Sequence, residues 1–199
     1  TEEDSVSISA KSRTRAIPFG DPAQIETAAE LLLNARRPLM VIGNSARYSC
    51  EPKDAVRMLA EYLDIPVIAA TIGRGVFLDE DHILCKAGSQ AAKDADVVDR
   101  KSTRLNSSHS QQSRADARFI MVHTDSQAIG FNRDVETGIV AGAAPAAAQI
   151  LERVKSLSGQ RRKPEYIKAL LEEADRAGEA EKKTILMDSQ KVRPGRCAF

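Results

Sequence analysis

The chain has 199 residues, a formal charge of +1, 42% hydrophobic residues and 4% aromatic residues with no Trp. That suffices for one ordinary domain with an appendage, built on Ala, Leu, Ile and Val. A near-neutral charge gives no electrostatic basis for binding nucleic acid or an anionic membrane, and no apolar run approaches the roughly 20 residues that cross a bilayer. Cys50, Cys85 and Cys197 are widely spaced and lie outside any CxxC or Cys/His ligand pattern. They read as reduced thiols in a cytoplasmic protein, with no metal site.

Residues 1–20 are polar and aperiodic, which predicts a linker or extended arm. Thr1-Glu-Glu-Asp4 has no initiator Met and no signal pattern, and begins like the interior of something longer. Asp21-Pro22 opens a helix, with Asp as cap, Pro in the first turn and Gln24 three residues after the cap. Ile25, Ala28, Ala29 and Leu32 give that helix one apolar stripe, and Arg36-Arg37-Pro38 ends it. Leu39-Met-Val-Ile42 is a short continuous apolar run, the pattern of a strand covered on both faces of a parallel sheet. Gly43-Asn44-Ser45 makes the turn after it. Val56, Leu59, Ala60 and Leu63 predict a second helix, and Ile65-Pro-Val-Ile-Ala-Ala70 a second buried strand. Strand, helix, strand in this rhythm is a βαβ unit with a right-handed crossover.

Thr71 to His82 reads as a loop, followed by a short helix through Gln90 to Asp94. Ala95-Asp-Val-Val98 then opens a third strand, and here the pattern breaks. Asp99-Arg-Lys-Ser-Thr-Arg-Leu-Asn-Ser-Ser-His109 matches, residue for residue, one translation frame of a common short-read sequencing adapter. Ser110-Gln-Gln-Ser-Arg114 fits that adapter's index and the bases after it. Residues 99–114 therefore read as a foreign insert without function, and their net charge of +3 leaves −2 for the rest of the chain. Unpaired charges cannot fill a strand buried on both faces, so the strand is expected to stop after Val98. Phe119–Val122 should then lack part of its partner.

The native pattern resumes near Ala115. Arg118-Phe-Ile-Met-Val-His123 and Gly138-Ile-Val-Ala141 predict strands, with His123 a satisfied core histidine. Ala147, Ile150, Leu151 and Val154 mark a closing helix. From Lys163-Pro164 to Glu181 a charged helix carries Ile167, Leu170 and Leu171 on one side. No repeat or NAD-type GxGxxG is present, since Leu78 stands where the last Gly of Gly73-Arg-Gly75 would be completed. The fold class is α/β: a Rossmann-like parallel sheet of about five to six strands, flanked by helices and interrupted after Val98.

The phrases Arg37-Pro-Leu-Met-Val-Ile-Gly43, Leu63-Asp-Ile-Pro-Val67, Thr71-Ile-Gly-Arg-Gly75, Asp79-Glu-Asp-His82 and Ala95-Asp-Val-Val98 occur in that order. They are followed by Ala117-Arg-Phe-Ile-Met-Val-His-Thr-Asp125, Ile129-Gly-Phe-Asn132 and Gly138-Ile-Val140. Order and spacing together resemble the central domain of thiamine-diphosphate-dependent enzymes of the acetolactate synthase type. The resemblance covers residues 21–98 and 115–158. It divides the chain into a linker (1–20), the central domain (21–158, with the insert at 99–114), a linker helix (159–190) and, from Val192-Arg-Pro-Gly-Arg196, the start of a truncated diphosphate-binding domain (191–199).

The resemblance implies a parent that uses thiamine diphosphate and Mg²⁺ to decarboxylate or ligate 2-keto acids, as a homodimer or homotetramer. In such enzymes the catalytic Glu lies in the first domain and a Gly-Asp-Gly…Asn segment in the third. Here the only Gly-Asp pair, Gly20-Asp21, begins a helix cap. The resemblance thus names no catalytic or metal residue in this chain and predicts that the piece is inactive alone. The family's central domain binds FAD, ADP or the CoA nucleotide in some members and is structural in others. The matching cofactor-binding positions are Gly43, Asn44 and Ser45 after the first strand, Thr71, Gly73, Arg74 and Gly75 after the second, and Asp125 after a later one. Asn44 and Ser45 depart from a family Gly-Lys-Gly-Ala loop, and Gly142 stands where the family carries Asp. From the residues alone, Gly43 can equally end a strand, Gly73 and Gly75 can relieve a turn, and Asp125 can cap a helix at Ser126. A stand-alone nucleotide-binding module, or a structural dimerisation module without thiamine chemistry, remains the alternative.

Overall fold

A computed structural model describes residues 17–43, 46, 54–69, 73, 82–101, 114–131, 133–157 and 163–191. The elements are α1 (Pro22–Asn34), β1 (Pro38–Ile42), α2 (Ala55–Leu63), β2 (Val67–Ala69), α3 (Ile83–Asp94), β3 (Val97–Lys101), β4 (Arg118–His123), a 3₁₀ turn (Ser126–Ala128), β5 (Thr137–Val140), α4 (Ala143–Leu157) and α5 (Pro164–Lys191). All strand pairs are parallel, in the order β2-β1-β3-β4-β5. The parallel, helix-flanked sheet follows from apolar strands that have no wet face: β1 is buried at all five positions.

Side chains alternate across the sheet and divide the core in two. Met40, Ile42, Val97, Ile120, Val122 and Ile139 pack under α1, α2 and α4. Leu39, Val41, Val98 and Phe119 face α3 and the start of α5, meeting Ala87, Ala91 and Leu170. Apolar burial of this kind contributes about 25 cal/mol per Å² removed from water. Close approach of α3 to β2 depends on Gly88, where an added Cβ would collide with the Val67 carbonyl oxygen.

The ends of these elements obey local chemistry. Asp21 caps α1 by accepting from the Ala23 amide at 2.9 Å and the Gln24 amide at 3.4 Å, as the Asp-Pro start predicts. At the amino edge of the sheet, Asp96 accepts from the amides of Arg36 (2.8 Å) and Arg37 (2.9 Å), tying the start of β1 to the start of β3. The segment before α1 is docked on the domain: Gly142 N–H donates to the Pro18 carbonyl, and Gly20 exchanges two hydrogen bonds with the Gln149 side-chain amide at 2.8 and 3.1 Å. Asp64 accepts from the Lys163 amide at 3.0 Å and so fixes the start of α5, which buries Ile167 and Leu170.

Two expectations need correction. Helix α3 is twelve residues long and starts at Ile83, well before Gln90. His82 caps it by accepting from the Leu84 amide at 3.3 Å, and Leu84, Ala87, Gly88, Ala91 and Ala92 form its buried stripe. Small residues disguised that stripe.

The second correction is larger. Strand β3 does not stop at Val98 but continues through Lys101, and residues 97–101 pair fully with both β1 and β4. Phe119–Val122 therefore keeps its partner. Asp99 and Lys101 are two residues apart and share the face of Val97, opposite Met40 and Ile42 on one side and Ile120 and Val122 on the other. Both are fully buried, and Lys101 Nζ donates to the two Asp99 carboxylate oxygens at 2.7 and 2.6 Å. Mutual pairing replaces the lost water, which the expectation of unpaired charges did not allow for. Arg100 points to the other face between Val41 and Met121 and is 3% exposed. Burial, with the Arg133 guanidinium nearby, pulls its pKa down to about 10. Arg133 itself lies 4.4 Å from the Phe119 ring centroid on that face.

Candidate nucleotide crevice at the carboxyl edge

Parallel strands send all their carboxyl ends to one edge. The chain moves from β1 to β2 in one direction, then returns past β1 to β3 and on to β4 and β5. The order reverses between β1 and β3, and the carboxyl side of such a reversal is where open α/β sheets generally take ligands.

Of the residues matched to the cofactor loops, Gly43, Gly73 and Asp125 lie within the described residues; Asn44, Ser45, Thr71, Arg74 and Gly75 lie outside them. Gly43 directly follows β1. Its amide donates to the Lys101 carbonyl at 2.9 Å, so it extends the ladder to β3 and is not available to a phosphate. Its carbonyl accepts from the Ala46 amide at 3.2 Å. Gly73, after β2, reaches the same place: a Cβ on it would lie 2.6 Å from the Ile42 carbonyl oxygen and 3.1 Å from that of Gly43. The two glycines predicted from separate phrases are thus brought together, and Gly73 is required for that contact.

Asp125 sits apart, after β4. It is exposed, and its Oδ1 accepts from the Gln127 amide at 3.0 Å, capping the 3₁₀ turn as one of the two readings anticipated. Two residues earlier, His123 ends β4 and is 9% exposed. Its Nδ1 accepts from the Asp125 amide at 2.9 Å, and its carbonyl accepts from the Ala141 amide, linking β4 to the end of β5. Apolar neighbours in sequence hid the position of His123 at the carboxyl edge.

Asp21, from the only Gly-Asp pair, is occupied by its helix cap. Among the described residues no three His, Cys, Asp or Glu side chains come together in a way that could hold a metal ion. The described residues therefore do not fit a Mg²⁺–diphosphate site. Nor is any described helix long and apolar enough to cross a membrane.

The model of the family described as "Thiamine pyrophosphate enzyme, central domain" matches residues 25–151. The chain belongs to this family. Oxalyl-CoA decarboxylase of Escherichia coli (strain K12) is 30% identical over 139 residues, covering 67% of this chain and 24% of the relative. The 2-hydroxyacyl-CoA lyase 2 of Homo sapiens is 29% identical over 170 residues, covering 82% and 26%. A probable acetolactate synthase large subunit of Methanocaldococcus jannaschii is 30% identical over 136 residues, covering 62% and 23%. Among solved structures, benzoylformate decarboxylase from Polynucleobacter necessarius superposes with a TM-score of 0.54 at 17% identity, covering 79% of this chain and 32% of that one. That likeness concerns the fold alone. The chain spans about a quarter of the length of the relatives it matches.

Proposed function

We propose that this chain is the central layer of a thiamine-diphosphate-dependent enzyme that makes or breaks a carbon–carbon bond next to a carbonyl, in a 2-keto acid or an acyl-CoA. Its own contribution is to hold an adenine nucleotide, as ADP or the nucleotide end of CoA, across the crevice between β1 and β3. The supporting observation is that Gly43 and Gly73, from two separate family-matched loops, meet at the carboxyl side of the strand-order reversal. The names of the relatives that act on CoA thioesters favour ADP and CoA over FAD.

Thiamine diphosphate, when bound, supplies the electron sink for the carbanion left at the cleaved bond. Among the described residues none fits that group, so no step of the chemistry is assigned to them. The chain alone should leave 2-keto acids and acyl-CoA unchanged even with thiamine diphosphate and Mg²⁺ added. Residues 99–114 are, on this reading, a graft within a family frame, and resequencing the source DNA across codons 95–118 tests that origin.

The binding reading is tested by calorimetric titration of the 199-residue chain with ADP, CoA and FAD. Saturable binding of ADP and CoA is expected. Binding of none of the three would leave a structural module, and binding of FAD alone would point to the acetolactate synthase type.

A further inference from the structure

We propose that two copies of this chain associate through α1 and α4, each seating its Phe19 ring in a groove of the other. The proposal is independent of the nucleotide reading above and concerns a surface which that reading leaves unused. Three observations carry it.

The first is a fixed aromatic knob. Phe19 is 70% exposed, although the backbone on both sides of it is pinned. The Pro18 carbonyl accepts from the Gly142 amide, and Gly20 exchanges two hydrogen bonds with the Gln149 side chain. Gly20 also presses on the domain: a Cβ there would lie 2.7 Å from Ile139 Cγ2 and 2.8 Å from Ile25 Cδ1. The ring thus stands on backbone that is already ordered, so seating it costs little further chain entropy. Aromatic anchors of this kind dominate the energetics of interfaces.

The second is a socket beside the knob. A groove of about 450 Å³ runs between α1 and α4, with Pro22, Ile25 and Ala148 along it. Gln149, the residue that holds Gly20, stands in its wall, so Phe19 borders the groove without filling it. A knob next to an open socket makes one patch complementary to itself. A two-fold axis beside the pair carries each ring over the groove of the other copy.

The third is charge. The acids on the rim are answered within the same copy, Glu26 by Arg153 and Glu152 by Lys155. A two-fold contact sets charges near their own kind, and a rim neutralised by its own pairs tolerates that. A strongly acidic or basic partner would find no complement there. The rim therefore favours a second copy over nucleic acid, an anionic membrane or a charged peptide.

The test is sedimentation equilibrium of the unaltered chain, Phe19→Ser, Phe131→Ser and Ala148→Trp over a wide concentration range. Phe131 is 78% exposed and serves as the control for an aromatic outside the groove. The unaltered chain and Phe131→Ser should form dimers, and Phe19→Ser should weaken them by about tenfold or more. Ala148→Trp, which fills the groove, should weaken them as well. Phe19→Ser changes an exposed side chain, so it leaves the fold intact and decides the matter even if the larger Trp disturbs packing. An unaltered chain that stays monomeric would overturn the proposal, as would a Phe19→Ser dimer as tight as the parent's. Equal weakening by Phe19→Ser and Phe131→Ser would mean unspecific apolar association and would also overturn it. A full-strength Ala148→Trp dimer would contradict the seating of the ring in this groove.

Discussion

Strands β1 and β3 lie side by side at the centre of the sheet, are both five residues long and are both buried at every position. Yet β1 is Pro-Leu-Met-Val-Ile and β3 is Val-Val-Asp-Arg-Lys. In β1 the sequence and the environment agree, and apolar contact on two faces is the whole account of its place. In β3 they disagree after Val98, and the strand is held by its backbone ladder to two neighbours and by charges that answer one another. The difference teaches that burial of a strand reports where its backbone pairs. It does not report whether the side chains were chosen for that place.

The largest effect should come from breaking the charge pair on one side. Asp99→Ala leaves Lys101 buried among Met40, Ile42, Ile120 and Val122 without its carboxylate. A loss of about 3–5 kcal/mol in urea unfolding is expected. Set against a domain stability of about 5–15 kcal/mol, that would bring the fold near its limit. If the loss stays below about 1 kcal/mol, Lys101 has another way to reach water.

A smaller effect belongs to the first helix. Asp21→Ala removes the cap of α1, whose oxygen satisfies the Ala23 and Gln24 amides. About 1 kcal/mol should be lost, and Asp21→Asn should recover most of it.

The smallest concerns α5. Tyr166 lies where that helix meets the domain, with a buried hydroxyl that engages no partner among the described residues. Burial pushes the phenol up from its usual 10.0 to about 12; Arg37 opposes this by less, and Asp96 and Asp94 add smaller upward contributions. The neutral phenol is the form the fold prefers. Its contribution is therefore complete below pH 10 and is lost as the pH climbs from 10.0 towards about 12. Tyr166→Phe should be neutral or stabilising by up to about 1 kcal/mol at pH 7, and should flatten the alkaline limb of the stability profile. An unchanged limb would place the alkaline loss elsewhere.

Much of the architecture is legible in the amino-acid sequence. The Asp21-Pro22 cap, the apolar runs of β1 and β4 and the 3.6-residue stripes of α2 and α4 all announce themselves, because periodicity and end chemistry act locally. The full length of helix α3 is hidden in the sequence because its buried face, apart from Leu84, is made of Ala and Gly, which carry little hydrophobic signal. The path of β3 was misjudged for another reason. The cost of a buried charge depends on its partner, and Asp99 and Lys101 meet only once the chain is extended and their side chains share a face. Gly43 and Gly73 stand in phrases far apart in sequence, and only the sheet brings them together; the bond from the Asp125 amide to His123 Nδ1 is one that no sequence pattern encodes.

The comparison of the two strands turns finally on one variant, Asp99→Val combined with Lys101→Val, measured by urea unfolding against the unaltered chain. If β3 carries its charges only because they cancel, the apolar pair should match or exceed the parent's stability, by up to about 4 kcal/mol, with the same slope. A loss of several kcal/mol would contradict the account, since it would mean that the ion pair is the very thing that seats the strand.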